Sequence, residues 1–161
     1  MGGGRGDAKY TISVAAAVLD GKIYAIGGWN SSGIDVALTD VYDPATNTWK
    51  VGPPMGMARA GHSATVLGGK IYVAGGYQSG YVSTAEVFDP QTNTWTTIAS
   101  MSVPRFAFTL SALGGKLYAA GGRALEGQPQ ASVEAYDPQQ DRWEAVAPMT
   151  EPRTRHVMAV M

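Results

Sequence analysis

The sequence predicts an all-β protein built from three copies of one four-stranded antiparallel unit. Two observations lead to this prediction. An apolar run ends in a Gly-Gly pair three times, as GKIYAIGG, GKIYVAGG and GKLYAAGG, and a glycine turn, an Asp-Pro pair and a tryptophan recur around it in the same order. A period of nearly 50 residues with ordered landmarks indicates one supersecondary unit copied along the chain. The pairs are Gly27-Gly28, Gly75-Gly76 and Gly121-Gly122, at intervals of 48 and 46 residues.

The first two strands of each copy are expected to form a hairpin. An apolar strand A leads into a dipeptide that can adopt the positive φ angles of a two-residue turn, and strand B follows as KIYAI, KIYVA or KLYAA. Strand B is nearly continuous in apolar residues, so we expect sheets to cover both of its faces. Strand A begins at Ile12, His62, Phe108 and, in a partial copy, His156; the dipeptides are Asp20-Gly21, Gly68-Gly69 and Gly114-Gly115.

Strands C and D are expected to form a second hairpin. Strand C ends at Asp-Pro, where the aspartate can accept amide hydrogen bonds and the proline stops strand pairing. An Asn or Asp at Asn47, Asn93 and Asp141 then suits a left-handed turn position. An aromatic residue of strand C and a tryptophan at the start of strand D are expected to pack between neighbouring sheets, with each tryptophan burying about 200 Å². These aromatics are Tyr42, Phe88 and Tyr136, followed by Trp49, Trp95 and Trp143.

An arginine opens each later copy, four residues after a methionine, and a carboxylate recurs two residues before the strand C aromatic. We interpret the two positions as a recurring ion pair, with Arg105 facing either Glu86 or Glu134. The first copy departs from the pattern, since Thr11 stands at the arginine position and Val14 where His62 and His156 stand. The arginines are Arg59, Arg105 and Arg153, and the carboxylates are Asp40, Glu86 and Glu134.

These landmarks resemble the kelch repeat, and the resemblance extends from about Ile12 to the C-terminus. It implies a β-propeller whose blades are residues 11–55, 59–101 and 105–149, with 153–161 as the first strand of a further repeat and 1–10 as a flexible tail. Kelch propellers commonly have six blades, so the chain supplies half a ring. A second copy, or the remainder of a longer propeller, would complete it. In a ring of two copies the C-terminal strand, carrying Arg153 and His156, would displace the weaker N-terminal strand.

The resemblance also implies a partner-binding face. In kelch substrate-recognition domains, the position after the double glycine and the start of strand A contribute to that face. Aromatic and arginine side chains at such places are typical interface hot spots. The expected partner-binding residues are Trp29, Asn30, Tyr77, Gln78, Tyr81, Arg123 and Arg155.

The leading functional hypothesis is a non-enzymatic scaffold that binds a protein or peptide through these rim loops, for example as a substrate-recognition module. The alternative is a carbohydrate-binding or sugar-modifying, epimerase-like propeller, in which Trp29, Tyr77 and Tyr81 stack on sugar rings. No catalytic residue, metal or cofactor is expected: the two histidines occupy the same repeat position, and Gly-Lys is never followed by Ser or Thr as a phosphate-binding loop requires.

Composition narrows the partners further. The chain has 161 residues, a net charge of -1 and no cysteine, and its 12 basic side chains are scattered without runs. Nucleic acid and anionic membranes are therefore not expected partners. The absence of cysteine does not identify a compartment, and a cytoplasmic location is only slightly favoured. The Asn30-Ser31-Ser32 sequon would matter only in a secreted protein.

Overall fold

The computed structural model describes residues 11–157 and contains three four-stranded antiparallel sheets, called blades 1, 2 and 3. Strand order within each blade follows the chain. The predicted all-β fold of three four-stranded units is confirmed. Blade 1 comprises β2 (Ala15–Leu19), β3 (Lys22–Ile26), β5 (Thr39–Asp43) and β6 (Thr48–Val51); blade 2 comprises β7 (Ser63–Leu67), β8 (Lys70–Ala74), β9 (Ala85–Asp89) and β10 (Thr94–Ile98); blade 3 comprises β11 (Thr109–Leu113), β12 (Lys116–Ala120), β13 (Val133–Asp137) and β14 (Arg142–Val146).

The first strand is not continuous, contrary to the expectation of one strand from Ile12 to Leu19. β1 (Thr11–Ile12) pairs with β4 (Trp29–Asn30), and β2 begins only at Ala15. Ser13 lies between them with a φ of 56°, a left-handed conformation that interrupts strand geometry. The tail 1–10 and residues 158–161 of the partial strand 153–161 lie outside the described residues.

The turn chemistry agrees with the sequence. Both residues of each strand A–B turn have positive φ, for example 58° and 73° at Gly68 and Gly69. Asn47, Asn93 and Asp141 are left-handed, with φ between 47° and 56°. The Asp-Pro aspartates accept a backbone N–H two residues ahead at 2.8–2.9 Å, which fixes the start of each strand C–D turn.

The blades pack face to face through apolar side chains. Successive residues of a strand point to opposite faces, so Ile71 and Val73 of β8 contact blade 1 while Tyr72 contacts blade 3. Strand B of the middle blade is therefore covered on both faces, as its composition predicted. The core between blades 1 and 2 is formed by Ala17, Leu19, Tyr24, Ile26, Met55, Ile71, Val73 and Phe88. Between blades 2 and 3 it is formed by Tyr72, Ala74, Ala85, Met101, Phe108, Leu110, Leu117, Ala119 and Tyr136.

The recurring aromatics pack between sheets in blades 2 and 3. The Phe88 ring lies 5.8 Å from that of Tyr24 in blade 1, and 5.3 Å from that of Trp95. The indole N–H of Trp95 donates to the Pro53 carbonyl at 3.0 Å, and that of Trp143 donates to Ala99 at 2.8 Å. These two tryptophans thus join adjacent blades.

Trp49 differs from this expectation. Its ring lies 5.2 Å from Tyr42 in its own blade, but 56% of the residue is exposed. The reason is positional: blade 1 is the first of the row, so the structure contains no preceding blade to cover Trp49.

Each Gly-Gly pair makes room for the next blade. A Cβ added at Gly75 would lie 2.6 Å from the Arg105 carbonyl oxygen, and one at Gly27 would lie 2.5 Å from that of Arg59. The second glycine donates its N–H to the same carbonyl, as in the 2.7 Å bond from Gly76 to Arg105. Only glycine permits this approach, because any Cβ would occupy the space of the neighbouring backbone.

The recurring arginines and carboxylates form buried ion pairs, which confirms that hypothesis and selects between its alternatives. Arg59 Nη2 lies 2.9 Å from Glu86 Oε1, and Arg105 Nη2 lies 3.1 Å from Glu134 Oε1. Each arginine pairs with the carboxylate of the blade that it opens, so the partner of Arg105 is Glu134 rather than Glu86.

Neighbouring blades are also connected by backbone hydrogen bonds at one repeat position. Gly61 donates to Ser13 O at 3.0 Å, Ala107 to Gly61 O at 2.9 Å, and Arg155 to Ala107 O at 2.8 Å. All four residues have positive φ, between 53° and 61°. The inner strand β7 contacts both β2 and β11 alongside this chain of bonds. The segment around Arg155 is therefore positioned as the start of a fourth blade.

Candidate functional site

All the expected binding residues except Arg155 lie in loops that begin directly after the Gly-Gly pairs. Trp29, Tyr77 and Arg123 occupy the first position of the three loops, and each pairs with the chain entering strand A: Ile12, Ala60 and Phe106 respectively. The rigid doublet and this pairing fix where each loop starts, while the loop sequences differ freely. This arrangement, variable loops on a repeated frame, is typical of binding surfaces.

Four rings gather at this rim, and we call Trp29, Tyr77, Tyr81 and Phe106 the rim aromatic cluster. Tyr81 stacks on Phe106 with centroids 5.6 Å apart and an interplanar angle of 14°. Trp29 contacts Phe106 at 6.0 Å and Tyr77 at 6.1 Å, and Tyr77 contacts Tyr81 edge-on at 6.0 Å. All four residues are partly exposed. They present one continuous aromatic surface across the three blades.

Phe106 is a member of this cluster that the sequence reasoning missed. Its ring lies over Gly61, where an added Cβ would come within 2.1 Å of a ring carbon. A signal existed, since Phe106 follows the repeat arginine at a position where the neighbouring copies have Ala60 and Thr154. An aromatic residue that departs from the repeat pattern beside the rim was a candidate by the same criterion as Tyr77.

Asn30 and Gln78 lie in the loops but differ in role. The Asn30 side-chain oxygen accepts the backbone N–H groups of Ser32 at 3.0 Å and Ile34 at 3.1 Å, so it shapes its own loop. Gln78 is exposed at the turn of the second loop, where its N–H donates to Gly80 O at 2.8 Å. Of the two side chains, that of Gln78 is the more available to a ligand.

Arg123 and Arg155 flank the same two residues of blade 3. Arg123 exchanges backbone hydrogen bonds with Phe106 at 2.8 and 3.0 Å, and Arg155 donates its N–H to Ala107 O. Within residues 11–157, Arg123 Nε is buried without a hydrogen-bond partner. Two cationic side chains thus border the aromatic cluster, one of them with unused hydrogen-bonding capacity.

Two depressions lie at the rim. One of about 380 Å³ is lined by Tyr77, Tyr81, Leu125 and Glu126, with Gly80 and Gly127. A second of about 490 Å³ is lined by Trp29, His62, Phe106 and Arg155, with four smaller neighbours near the inner strands. Both volumes lie in the usual range for ligand sites. Phe106 and Tyr81 are in contact, so the cluster forms the ridge between the two depressions.

Burial controls the ionisation of His62 in the repeated frame. Burial and the Arg59 charge lower the pKa of His62 to about 3, so this histidine is neutral at ordinary pH. In the part of the chain that the structure describes, no cluster of His, Asp or Glu could hold a metal ion. None of the helical segments within residues 11–157 is long and apolar enough to cross a membrane.

Comparisons with known proteins extend these observations. A family model described as the KLHDC2/KLHL20/DRC7 Kelch-repeats domain matches residues 13–161. An F-box/kelch-repeat protein of Arabidopsis thaliana is 51% identical over 39 residues, which are 24% of this chain and 11% of that protein. The solved structure of YjhT is similar with a TM-score of 0.77 and 23% identity, covering 89% of this chain and 54% of that one.

The chain therefore spans about half the length of the YjhT chain and matches a small part of the plant protein. At 23% identity, the structural likeness shows the fold alone: three blades of a β-propeller. The family model covers almost all of the sequence and all three blades. The chain belongs to the kelch-repeat family.

Proposed function

We propose that this chain is a non-enzymatic interaction scaffold that binds a protein or peptide through the loops following its Gly-Gly pairs. Kelch-repeat domains are in general protein-interaction modules. The observation that carries the proposal is the rim aromatic cluster, in which four partly exposed rings from all three blades are in contact. Aromatic side chains bury much area at little entropic cost, and are enriched at the energetic centres of interfaces.

The chemistry of the rim favours an acidic segment of the partner. Arg123 and Arg155 border the cluster, and the Nε of Arg123 is desolvated without a partner in the described structure. A guanidinium can bind a carboxylate with two parallel hydrogen bonds. The partner is therefore expected to place an apolar or aromatic side chain on the cluster and a carboxylate beside Arg123. Substrate recognition of this kind fits a relative that combines an F-box with kelch repeats.

A peptide array of acidic and neutral sequences tests this function. We expect acidic peptides with an aromatic residue to bind, and Arg123→Ala and Phe106→Ala each to weaken binding at least tenfold. Thr97→Ala, in the exposed outer strand of blade 2, is the matched control and is expected to bind as the parent does. Binding that is absent from the array, or unchanged in both rim variants, would contradict the proposal.

Glycan binding is the second candidate function. The Tyr81 and Phe106 rings and the 380 Å³ depression beside Tyr77 offer aromatic surfaces on which sugar rings could stack, with Glu126 at the edge. A glycan array with the Tyr77→Ala variant separates the two functions. Loss of glycan binding in Tyr77→Ala, with no peptide bound by the parent, would favour the sugar-binding function over the scaffold.

We further propose that two copies of the chain complete one ring. Closed propellers have 4–8 blades, so one copy has too few blades, two copies give six and three copies give too many. In such a ring the inner depression at Arg155 is bordered by both copies, and the partner-binding face is complete only in the dimer.

A further inference from the structure

The row of three blades has two uncovered faces, the front of blade 1 and the back of blade 3. Each has the residue positions that form one side of the interfaces between neighbouring blades. On the front of blade 1, Ile23 is 40% exposed, whereas its repeat equivalents Ile71 and Leu117 are fully buried. On the back of blade 3, Leu113 is 57% exposed, whereas Leu19 at the same position is 4% exposed. The back of blade 3 therefore has the chemistry that covers the front of a following blade.

The same two ends carry the two halves of one ion pair. Asp40 occupies the position of Glu86 and Glu134 but is exposed, and blade 1 has Thr11 where those blades have an arginine. Arg153 occupies the position of Arg59 and Arg105 but is exposed as well. Within residues 11–157, neither Asp40 nor Arg153 makes an ion pair. Blade 1 lacks an arginine, and the C-terminal segment lacks a carboxylate.

The C-terminal segment is already held in the position from which it could supply the arginine. Gly122 donates to Arg153 O at 2.7 Å, as Gly76 does to Arg105. Arg155 donates to Ala107 O, and Thr109 Oγ1 donates to His156 O at 2.6 Å. The backbone of Arg153 to His156 is thus docked on blade 3 in the manner of Arg105 to Phe108 on blade 2.

Within the described residues, the hydrogen bond from a tryptophan indole to the preceding blade is also incomplete at the two ends of the row. Trp95 and Trp143 donate to Pro53 O and Ala99 O of the preceding blade. By the repeat, Trp49 should donate to the carbonyl of Ala147, and both residues are exposed. Three interblade contacts are therefore incomplete at both ends of the row: the apolar faces, the ion pair and the indole hydrogen bond. A second copy of this chain supplies the missing half of all three.

From these observations, and resting on the proposed two-copy ring, we infer that the copies exchange strands. Arg153 of each copy enters blade 1 of the other, forms an ion pair with its Asp40, and takes the place of its N-terminal strand. Blade 1 has room for only one strand A beside β3. Arg155 and Ser13 hold the same position in the chain of interblade hydrogen bonds, so the incoming segment and the N-terminal strand cannot both occupy it. The incoming segment has the arginine that Thr11 lacks. Val157, Ala159 and Met161 stand at the repeat positions of Ala15, Ala17 and Leu19, so the sequence has an apolar residue at each of the three positions that are buried in β2.

Charge reversal with native mass spectrometry tests the exchange. We expect Asp40→Arg alone and Arg153→Asp alone each to weaken the homodimer at least tenfold, because each places like charges at both junctions. Mixing the two variants should restore a heterodimer, in which one junction is native and the other is reversed. Both residues are exposed in the isolated chain, so neither change should impair its folding. Thr97→Arg, which introduces an arginine at an exposed site of the middle blade, is expected to leave the dimer intact.

The possible outcomes separate the exchange from the dimer itself. A parent dimer that is unaffected by either reversal would overturn the exchange and retain the two-copy ring. Two weakened variants that fail to form a heterodimer on mixing would also overturn it. A monomeric parent would overturn both. As a further positive arm, Asp40→Glu introduces the longer side chain found in blades 2 and 3, and is expected to tighten the dimer.

Discussion

Arg105 and Glu134 form an ion pair that is shut off from solvent at the junction of blades 2 and 3. The guanidinium also donates to Gly121 O at 2.9 Å and to Ser132 O at 2.8 Å, while the carboxylate accepts the backbone N–H groups of Ser102 and Val103. Burial alone would raise the pKa of Glu134, but the hydrogen bonds from Ser102 and the Arg105 charge lower it below its ordinary value. One pair thus connects the linker between blades 2 and 3 with both ends of the loop that joins β12 to β13.

Removing one member of this pair should be strongly destabilising. Arg105→Ala leaves a buried carboxylate unpaired, and we expect the free energy of unfolding to fall by about 3–5 kcal/mol. The measurement is urea denaturation followed by tryptophan fluorescence. In a double-mutant cycle, Arg105 should couple to Glu134 and not to Glu86. The partly exposed pair Lys70–Asp89 is the control, and Lys70→Met is expected to change the midpoint much less.

Two glycines with similar backbone angles should differ in their tolerance of alanine. Gly68 has a φ of 58° and no neighbour within 4 Å of an added Cβ, whereas Gly75 has a φ of 64° and would meet Arg105 O at 2.6 Å. Gly68→Ala should therefore cost only the left-handed strain, about 1–2 kcal/mol. Gly75→Ala must in addition displace the backbone of blade 3, so it should lower the free energy of unfolding by clearly more. Equal losses of unfolding free energy for the two variants, measured by urea denaturation, would show that Gly75 is needed only for its backbone conformation and not for its close approach to blade 3.

His62 should make stability depend on pH. Because its pKa is lowered from 6.5 to about 3 in the folded chain, the unfolded state binds more protons between these values. The stability from neutral His62 is fully present above pH 6.5 and decreases toward pH 3, by up to about 1.4 kcal/mol per pH unit. His62→Phe copies Phe108 of the next blade and should flatten this slope in urea titrations from pH 4 to 7. An unchanged slope would assign the pH dependence to other groups.

The two tryptophans Trp95 and Trp49 should respond differently to protein concentration. Trp95→Phe removes the bond to Pro53 O and is expected to cost about 0.5–1.5 kcal/mol at every concentration. Trp49→Phe should cost little in dilute protein, where the residue is exposed, and more as the dimer forms and covers it. Thermal unfolding over a hundredfold range of concentration gives both numbers. A Trp49→Phe cost independent of concentration would mean that its surface stays uncovered.

The strands and turns of the three blades could be predicted from the sequence because each pattern occurs three times, so an ambiguous segment in one copy is resolved by the other two. The Asn47, Asn93 and Asp141 turns are specified by local chemistry, and three copies state the same pattern. The ion pair could be proposed from the repeat pattern, but its partner required the structure, since a recurring carboxylate lies on each side of Arg105 in the sequence, at Glu86 and at Glu134.

The rim was less predictable for a physical reason. Contacts such as Tyr81 on Phe106 join loops of different blades, and no periodicity relates them. The sequence also did not predict that Trp49 is exposed. A repeat pattern assigns the same neighbours to every copy, whereas no blade precedes blade 1 in the described structure.

The mass of the chain in solution tests the half-ring account most directly. At micromolar concentration, multi-angle light scattering should give twice the chain mass of 16.9 kDa, with the dimer dissociating on dilution. A monodisperse particle of 16.9 kDa that unfolds cooperatively would contradict the account, because the exposed faces of blades 1 and 3 would then be stable in water without a second copy.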